Sequence, residues 1–429
     1  MNSHTQTLSP TTRTKLRKFF AKLKFAAKDD SGKSLPDILS NNVTFISEDK
    51  HSIRFTDEDS INYSKLQDEL ALIHSKSRTY GRTYAENILK DVIWQVLDSS
   101  EDPGRAARQA VATIESKLNI PFQKWSVYFP VDGLSLLKSE PWVFGQVKFI
   151  STDPEILSNE LASARLSESE LLTMHQAVGA LAKVEILAID SDTAIAEGAN
   201  IVNLTVSVVN CYGNLVGGSR DGKVLSSYDQ VGSEKIASII FIGEKTTGFK
   251  RSFSYKATGI NTHLFLQQQG FVERFDLAKI DKALRSPIKN GFVEMRIIPA
   301  MKWVGKATAQ TQPDEAYLNY CIALESLIYN KKHSQDSIVT KELKTRLYLL
   351  LFSNEGYFGS SISGINRFDH LYDLRSRIVH RGKAEVTDSD LETIRSLTYN
   401  ALHKTLNESP IKDFETEEAF ESWLTRDEL

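Results

Sequence analysis

The chain is poor in residues that build covalent or metal frameworks. Its 429 residues include only two cysteines, Cys211 and Cys321, which lie far apart in apolar runs. A disulfide framework or a cysteine-rich zinc module needs several cysteines, so both are excluded and a reducing, cytoplasmic setting is expected. The nine histidines show no metal-ligand spacing. We therefore expect neither a bound metal nor a cofactor.

Long apolar runs and a strong net charge are also missing. No uninterrupted apolar stretch approaches the roughly 20 residues that cross a bilayer, so no membrane contact is expected. The formal net charge of −3 argues against attraction of the whole molecule to nucleic acid, so any such binding must come from a local patch. With 41% hydrophobic and 25% charged residues, the composition indicates a globular chain of two or three domains.

Charge is distributed unevenly at the two ends. Between Arg13 and Lys28 there are seven lysines and arginines and no acid, whereas Asp413 to Glu428 holds seven acids and one arginine. The basic segment also carries apolar residues at helical spacing. Three interpretations of it stay open: a helix packed on the body, an arm that contacts RNA, and a helix at a membrane surface. A further hypothesis pairs the acidic tail with the basic arm, which would shield an RNA groove.

Periodicity divides the chain into three predicted parts. Residues 1–60 form a basic, partly ordered arm with a short strand near 43–46, and residues 61–294 form a mixed α/β domain that senses a trigger or selects a substrate. In this middle domain, segment 201–209 fits either a strand or a buried helix. The other elements expected there are helices over 63–119, strands near 125–129 and 142–150, helix over 154–190, and mainly β structure over 224–266.

Residues 295–429 are predicted to form an all-α bundle with an acidic tail. Apolar residues recur there at i, i+3, i+4 and i+7, as a helical bundle requires. The expected fold class is therefore an α+β N-terminal and middle region followed by a helical-bundle C-terminal domain, with the boundary at 288–296. The predicted helices of the bundle cover residues 297–308, 313–329, 343–351, 365–379 and 391–402.

One short motif in the fourth predicted helix carries chemistry. Arg375 is followed five positions later by His380, with Gly382 just beyond. A guanidinium binds phosphate through paired donors, and an imidazole exchanges a proton near neutral pH. On a straight helix the two side chains diverge by about 140°, so one helix cannot close both around a small group. Either Gly382 ends the helix and redirects His380, or two copies of the helix meet across a dimer axis.

Neighbouring residues are candidates for substrate binding or support. Ser376 is placed to orient the imidazole or to contact the phosphate. Glu325, beside an apolar stripe on an earlier helix, either pairs with Arg375 or Arg377 or stays solvated. The plain alternative for the whole motif is a surface ion pair and a histidine at a helix end that favours cations. Ser376 joins Arg375 and His380 as a candidate catalytic residue, and the candidate substrate-binding or supporting residues are Tyr372, Arg377, Arg381 and Glu325.

These residues resemble the HEPN superfamily, in particular its ApeA-like branch. Arg375-Ser-Arg-Ile-Val-His380 fits the Arg-x4–6-His motif of that superfamily. Tyr372-Asp-Leu before it, Arg381-Gly382 after it, and Ala323-Leu-Glu-Ser-Leu-Ile328 on an earlier helix are similar to the branch. The resemblance covers about residues 295 to 410.

The resemblance implies a HEPN-like bundle that dimerises with its motifs facing each other and cleaves RNA without a metal, in phage defence or toxin systems. It makes Arg375 and His380 the catalytic pair, with Ser376 where the family more often has Asn, Asp or His. The 2′-hydroxyl of the RNA serves as nucleophile. Some members only bind nucleotides or recruit partners, which is the alternative. The expected partners are RNA (tRNA or mRNA), a second copy of the chain, and a phage-derived or nucleotide trigger at the middle domain.

Two other patterns are weaker. Segment 217–224 is one residue short of a phosphate-binding loop, because Val224 stands where Ser or Thr would bind Mg²⁺, and it is predicted to be a plain loop. Trp125, Trp142 and Phe144 would line a ligand groove if they were exposed. Aromatic residues at strand spacing belong more often to the core.

Overall fold

The chain is mostly helical, with a small sheet in its middle part. The computed structural model describes residues 8–29, 44–46, 52–54, 63, 65–66, 70, 82–118, 122–134, 136, 141–162, 179–217, 226–227, 235–243, 247–254, 277–286, 291–328, 339–352, 367–382 and 384–425. Mixed helices and strands precede a C-terminal part that is all-helical over the ranges described from residue 292 to 425, apart from the bridge between Gly291 and Thr416. The predicted fold class is confirmed at this level.

Helices occupy both ends of the described chain. They are α1 (Pro10–Asp29), α2 (Arg82–Asp98), α3 (Pro103–Leu118), α4 (Pro154–Glu160), α5 (Ser191–Gly217), α6 (Leu277–Arg285), α7 (Ile298–Ala309), α8 (Pro313–Ile328), α9 (Val339–Phe352), α10 (Phe368–Arg381), α11 (Asp388–Asn407) and α12 (Glu417–Leu424). A π-helical turn, Val293–Ile297, leads into α7. The helices α7 to α11 match the five stripes predicted for the bundle.

The strands lie between α1 and α6. They are β1 (Thr44–Ile46), β2 (Ser52–Arg54), β3 (Gln123–Asp132), β4 (Trp142–Phe144), β5 (Val147–Ser151), β6 (Ala180–Ala188), β7 (Ser226–Ser227), β8 (Lys235–Gly243) and β9 (Thr247–Ser254). The larger sheet has the order β4-β5-β6-β3-β8-β9, and β7 pairs with β3. The predicted strands near 43–46, 125–129 and 142–150 are confirmed, as is β structure within 224–254.

The chain divides into two compact units. One contains residues 1–125 and 186–197, and the other contains residues 126–185 and 198–429. The divisions fall inside β3, β6 and α5, whereas composition placed boundaries near residues 60 and 295. The composition of the chain changes where mixed structure gives way to helix. The two compact units instead reflect which residues pack against each other.

In the first unit, the basic segment folds as the packed helix α1. Ser9 accepts a hydrogen bond from the Thr12 backbone N–H at 3.0 Å and so caps the first turn. Leu16 and Phe20 are fully buried in the core that α1 shares with α2 and α3, and Arg13 pairs with Glu115 at 2.6 Å. Of the three interpretations, the helix packed on the body is therefore confirmed.

Residues 154–190 were predicted to be helical, and of their described part the start, α4, is helical. After α4, Ala180–Ala188 forms strand β6, which pairs antiparallel with β5. Ala, Leu and Lys favour helix locally, but Val184 and Ile186 are buried while Glu185 and Leu187 are exposed. This period of two, satisfied by pairing in the sheet, overrides local propensity, and the helix prediction was wrong there.

The aromatic residues of the strands pack rather than line a groove. Trp125 is buried, and its indole N–H donates to the Ala188 carbonyl at 3.2 Å. Trp142 stacks on Phe144 and on Phe149, with ring centroids 5.4 Å and 4.9 Å apart. The core interpretation is therefore correct for the buried Trp125 and Phe144, whereas Trp142 is half-buried.

The undecided segment 201–209 lies within the long helix α5. Over Ser191–Gly213 this helix is long and apolar enough to cross a membrane by length and composition, with a mean hydropathy of 1.2. Its Ser, Thr and Asn residues interrupt the apolar run, so the helix meets the test of length and mean hydropathy without containing an uninterrupted apolar stretch of about 20 residues. The core helix of a folded protein passes the same test, and 61% of this stretch is buried.

In the second unit, α5 crosses α7 with direct backbone contact. A Cβ atom on Gly305 would lie 1.9 Å from the Ser207 carbonyl oxygen, so only glycine fits at this crossing. The remaining bundle helices bury the apolar stripes expected from the sequence, with Tyr317, Leu347, Leu371 and Leu397 each exposed by 1% or less. Burial of such side chains contributes about 1.5–3 kcal/mol each.

The acidic tail is anchored in the same unit. In α12, Phe420 and Leu424 are buried, and the two oxygens of Glu421 contact Arg296 at 2.6 Å and Arg346 at 2.8 Å. Glu417 adds a second contact to Arg296 at 2.6 Å. Arginines of the π-helical turn and of α9 thus contact Glu417 and Glu421 in the described part of the chain.

Candidate functional site

The motif lies on α10, whose ends and buried face follow from its sequence. Phe368, Leu371, Leu374 and Ile378 form the buried stripe. Gly382 ends the helix in the left-handed conformation with φ of 76°, and its N–H donates to the Ile378 carbonyl at 2.9 Å. The expected role of Gly382 as the helix end is therefore confirmed.

Arg375 lies in the middle of α10 and contacts α8. Its Nε is 3.1 Å from Oε1 of Glu325, and its Nη2 donates to Oε2 of the same carboxylate at 3.3 Å. The two side chains keep 29% and 22% of their surfaces exposed. Of the partners considered for Glu325, Arg375 is the one in contact, while Arg377 lies 3.4 Å from Asp373 on its own helix.

Tyr372 holds the same carboxylate from a second direction. Its hydroxyl donates to Oε1 of Glu325 at 2.6 Å, and its buried ring stacks on Phe368 with centroids 5.0 Å apart. Burial, together with the adjacent charge of Glu325, raises the pKa of Tyr372 above its usual range, so the phenol stays protonated and donates. Tyr372, Glu325 and Arg375 form one connected group, called here the Arg375 cluster.

His380 and the remaining candidates lie outside this cluster. His380 and Arg381 are exposed in the last turn of α10, and neither has a hydrogen-bonding or ionic partner in the described part of the chain. Ser376 is half-buried and makes no hydrogen bond with any described residue. A single copy thus brings together Tyr372, Glu325 and Arg375, but not the two residues of the motif.

Cys321 is not available as a nucleophile beside the cluster. The thiol is fully buried in α8, one turn before Glu325. Burial raises the pKa of Cys321 above its ordinary value, and the negative charge of Glu325 adds to this effect. The thiol is therefore neutral and unreactive.

The sequence missed a second polar cluster at the start of α11. Asp390 is buried, and its carboxylate is contacted by Arg367 and by Nε2 of His370, the latter at 3.2 Å. Burial alone would raise the pKa of Asp390, but hydrogen bonds from Thr387 and the charges of His370 and Arg367 hold it below its usual value. The spacing Thr387-x-x-Asp390 is that of a capping box and was the available signal.

A third polar cluster, also missed, lies on the larger sheet. Glu160 accepts hydrogen bonds from Lys183 at 2.8 Å, Lys148 at 3.2 Å and the Tyr128 hydroxyl at 3.4 Å. Burial raises the pKa of Tyr128 to about 12. Glu185, 3.2 Å from Lys183, adds a second carboxylate, so two lysines face two glutamates, which indicates a structural role.

Comparisons with known proteins do not assign the chain to a family or to a function. No family model, no curated protein and no solved structure matches the chain. Within the described ranges there is no group of three or more His, Cys, Asp or Glu residues that could hold a metal ion. Most of the glycine-rich segment, residues 218–224, lies outside the described residues.

Proposed function

We propose that the chain is a metal-independent RNA endonuclease whose site is completed by a second copy. Each site takes Arg375 from one copy and His380 from the other. One observation carries the proposal: both residues reach solvent from the same helix, yet Arg375 is held against α8, while His380 in the last turn has no hydrogen-bonding or ionic partner among the described residues. Two copies of α10 facing each other supply what one copy lacks.

The chemistry needs only these two groups and the RNA. Arg375 donates to the scissile phosphate and stabilises the charge that develops on it. An imidazole accepts the proton of the 2′-hydroxyl, whose oxygen attacks phosphorus. The 5′-oxygen then leaves with a proton supplied by a protonated imidazole, and a 2′,3′-cyclic phosphate remains. No protein nucleophile takes part.

The resemblance to the HEPN superfamily supports the same proposal. The Arg-x4-His spacing lies on the fourth of the five bundle helices α7 to α11, as the resemblance requires. By the same resemblance we propose a role in anti-phage defence or in a toxin system of the cytoplasm. A phage-derived or nucleotide trigger would act through the middle region.

Substitution of His380 tests the nuclease directly. We expect His380→Ala to lower cleavage of RNA by about 10²–10⁴-fold in the presence of EDTA, because the proton-transfer group is lost. Expression of the wild-type chain should arrest growth, and expression of His380→Ala should not. His370→Asn is the matched control, since His370 is an exposed histidine on the same helix. Cleavage that survives His380→Ala unchanged contradicts the proposal.

A second function is favoured by one contact. The carboxylate of Glu325 already faces the guanidinium of Arg375 and offsets its charge. This arrangement suits a non-catalytic module that dimerises, binds nucleotides and recruits partners. Binding of RNA or nucleotide without cleavage, together with growth arrest that is unaffected by His380→Ala, would support this alternative.

A further inference from the structure

We infer that Glu325 and Tyr372 are positioning residues that hold Arg375 ready for an RNA phosphate. The inference rests on one part of the proposed function, namely that Arg375 binds phosphate. It assigns to the Arg375 cluster a role that an ordinary surface ion pair does not have. Three features of the cluster carry it: the edge of the guanidinium that is occupied, the anchoring of the carboxylate, and the sign of the charge.

The carboxylate occupies only one edge of the guanidinium. Glu325 faces the side formed by Nε and Nη2: Nη2 donates to Oε2 at 3.3 Å, and Nε lies 3.1 Å from Oε1 in an ionic contact without hydrogen-bond geometry. A guanidinium has five N–H donors in a rigid plane, and a second pair of donors lies on the edge formed by Nη1 and Nη2. This second edge fits two phosphate oxygens. Fixing the first edge therefore orients the second without occupying it.

The carboxylate is itself fixed. Tyr372 and Arg375 are three positions apart on α10, so they share one face of the helix, and Glu325 reaches both from α8. The Tyr372 ring is buried and stacked on Phe368, and its hydroxyl is a donor. A buried, protonated phenol thus fixes Glu325, and Glu325 fixes the guanidinium.

Charge alone predicts the opposite effect on phosphate binding. Removing the negative charge of Glu325 makes the surroundings of Arg375 more positive, which on Coulombic grounds strengthens binding of an anion. Removing a positioning residue weakens binding, because the long arginine side chain must be ordered again each time phosphate binds. The two accounts therefore differ in the sign of the change.

The experiment measures binding of an RNA that cannot be cleaved. A fluorescent 2′-O-methyl oligoribonucleotide, which lacks the nucleophile, is titrated with the full-length chain. We expect Glu325→Gln to raise the Kd by about tenfold or more, as misplacement of a binding group does. Tyr372→Phe should raise it by about threefold to tenfold, since one hydrogen bond to the carboxylate is lost while the ring stays in place. Thermal unfolding checks that each variant remains folded.

Glu392→Gln is the matched control. Glu392 is an exposed acid on α11 that pairs with Arg395 at 3.5 Å. Like Glu325→Gln, this substitution removes one negative charge from the bundle, but at a residue outside the Arg375 cluster. We expect its Kd to be equal to that of the wild type or slightly lower.

In the cleavage assay, Glu325→Gln should lower kcat/KM while the pH profile keeps its shape, because the titrating group is unchanged.

The outcomes separate the inference from the proposed function. If Glu325→Gln binds more tightly, the carboxylate is a competitor of phosphate and the inference fails. If its Kd is unchanged while Arg375→Ala binds weakly, the contact is an ordinary surface pair and only the inference fails. If Arg375→Ala itself has no effect on binding, both fail. If the Kd values of the variants change as predicted but RNA is never cleaved, the inference is supported and the proposed nuclease function is contradicted.

Discussion

At the scale of single residues, the Arg375 cluster joins α10 to α8 through side chains that are far apart in the sequence. Arg375 and His380 are recognisable because their spacing is local. Glu325 is 50 positions from Arg375, and only the packing of α8 against α10 shows which arginine it contacts. Asp390 escaped notice for the same reason, since two of its partners, Arg367 and His370, lie 23 and 20 positions away.

Glu197 gives a prediction of pH dependence at this scale. Its half-buried side chain in α5 has a pKa raised from 4.5 to about 7, because burial disfavours the charged form. The folded chain therefore binds this proton more tightly than the unfolded chain. Its contribution to stability is present below about pH 4.5 and is lost as the pH rises through about 7.

The variant Glu197→Gln removes this titration. The difference in free energy of unfolding between this variant and the wild type should shift in favour of the variant by about 1–2 kcal/mol from pH 5 to pH 8. This value allows for the partial contact of Glu197 with water. Urea unfolding at the two pH values measures the change. Glu385→Gln, at an exposed site, should show no such gain. An equal effect of Glu197→Gln at both pH values would rule out the raised pKa.

At the scale of elements, periodicity located the helices of the bundle because each buries one stripe. The same signal did not settle α5, which is buried on more than one side, and in β6 it was set against local propensity. Helix α5 could not be distinguished from a strand, since its apolar residues surround it. Strand β6 was taken for helix because Ala, Leu and Lys favour helix unless a neighbouring strand pairs with them.

The attachment of α12 gives a prediction at this scale. Arg346 and Arg296 keep only 2% and 7% of their side chains exposed, and Glu421 contacts both. Replacing Glu421 with Gln leaves two buried cations without this partner. Each arginine keeps one carboxylate, Glu417 or Glu342, so we expect a loss of about 1.5–3 kcal/mol in the free energy of unfolding, as for hydrogen bonds to charged groups.

Urea unfolding checks this value. Glu418→Gln is the control, because Glu418 is an exposed acid on the same helix and such changes alter stability by about 0.5 kcal/mol or less. If the two variants were equally stable, the anchoring of the acidic tail through Glu421 would be wrong.

At the scale of the whole molecule, the sequence patterns predicted that mixed α/β structure precedes an all-helical part. They did not predict which segments form the two compact units. The change from mixed structure to helix near residue 291 was predicted, because the spacing of apolar residues changes there and can be recognised over short stretches of sequence. The two units are made of segments that are not contiguous in sequence. A boundary of this kind depends on long-range packing, which single-sequence patterns do not contain.

Self-association is the main prediction at this scale. The mass of one chain is 48.2 kDa. We expect light scattering to give about twice this mass at micromolar concentration, because the proposed site needs two copies. A charged substitution at the exposed Val379, next to His380, should favour the monomer and abolish cleavage together. Full cleavage by a chain that stays monomeric would contradict the proposal.

The most direct measurement mixes two inactive variants. Arg375→Ala and His380→Ala chains are combined under conditions in which subunits exchange, and RNA cleavage is assayed. If each site takes its guanidinium from one copy and its imidazole from the other, half of the dimers are mixed and each has one intact site. Activity should then return to about one quarter of the wild-type value. A mixture that exchanges subunits and remains inactive would contradict the account.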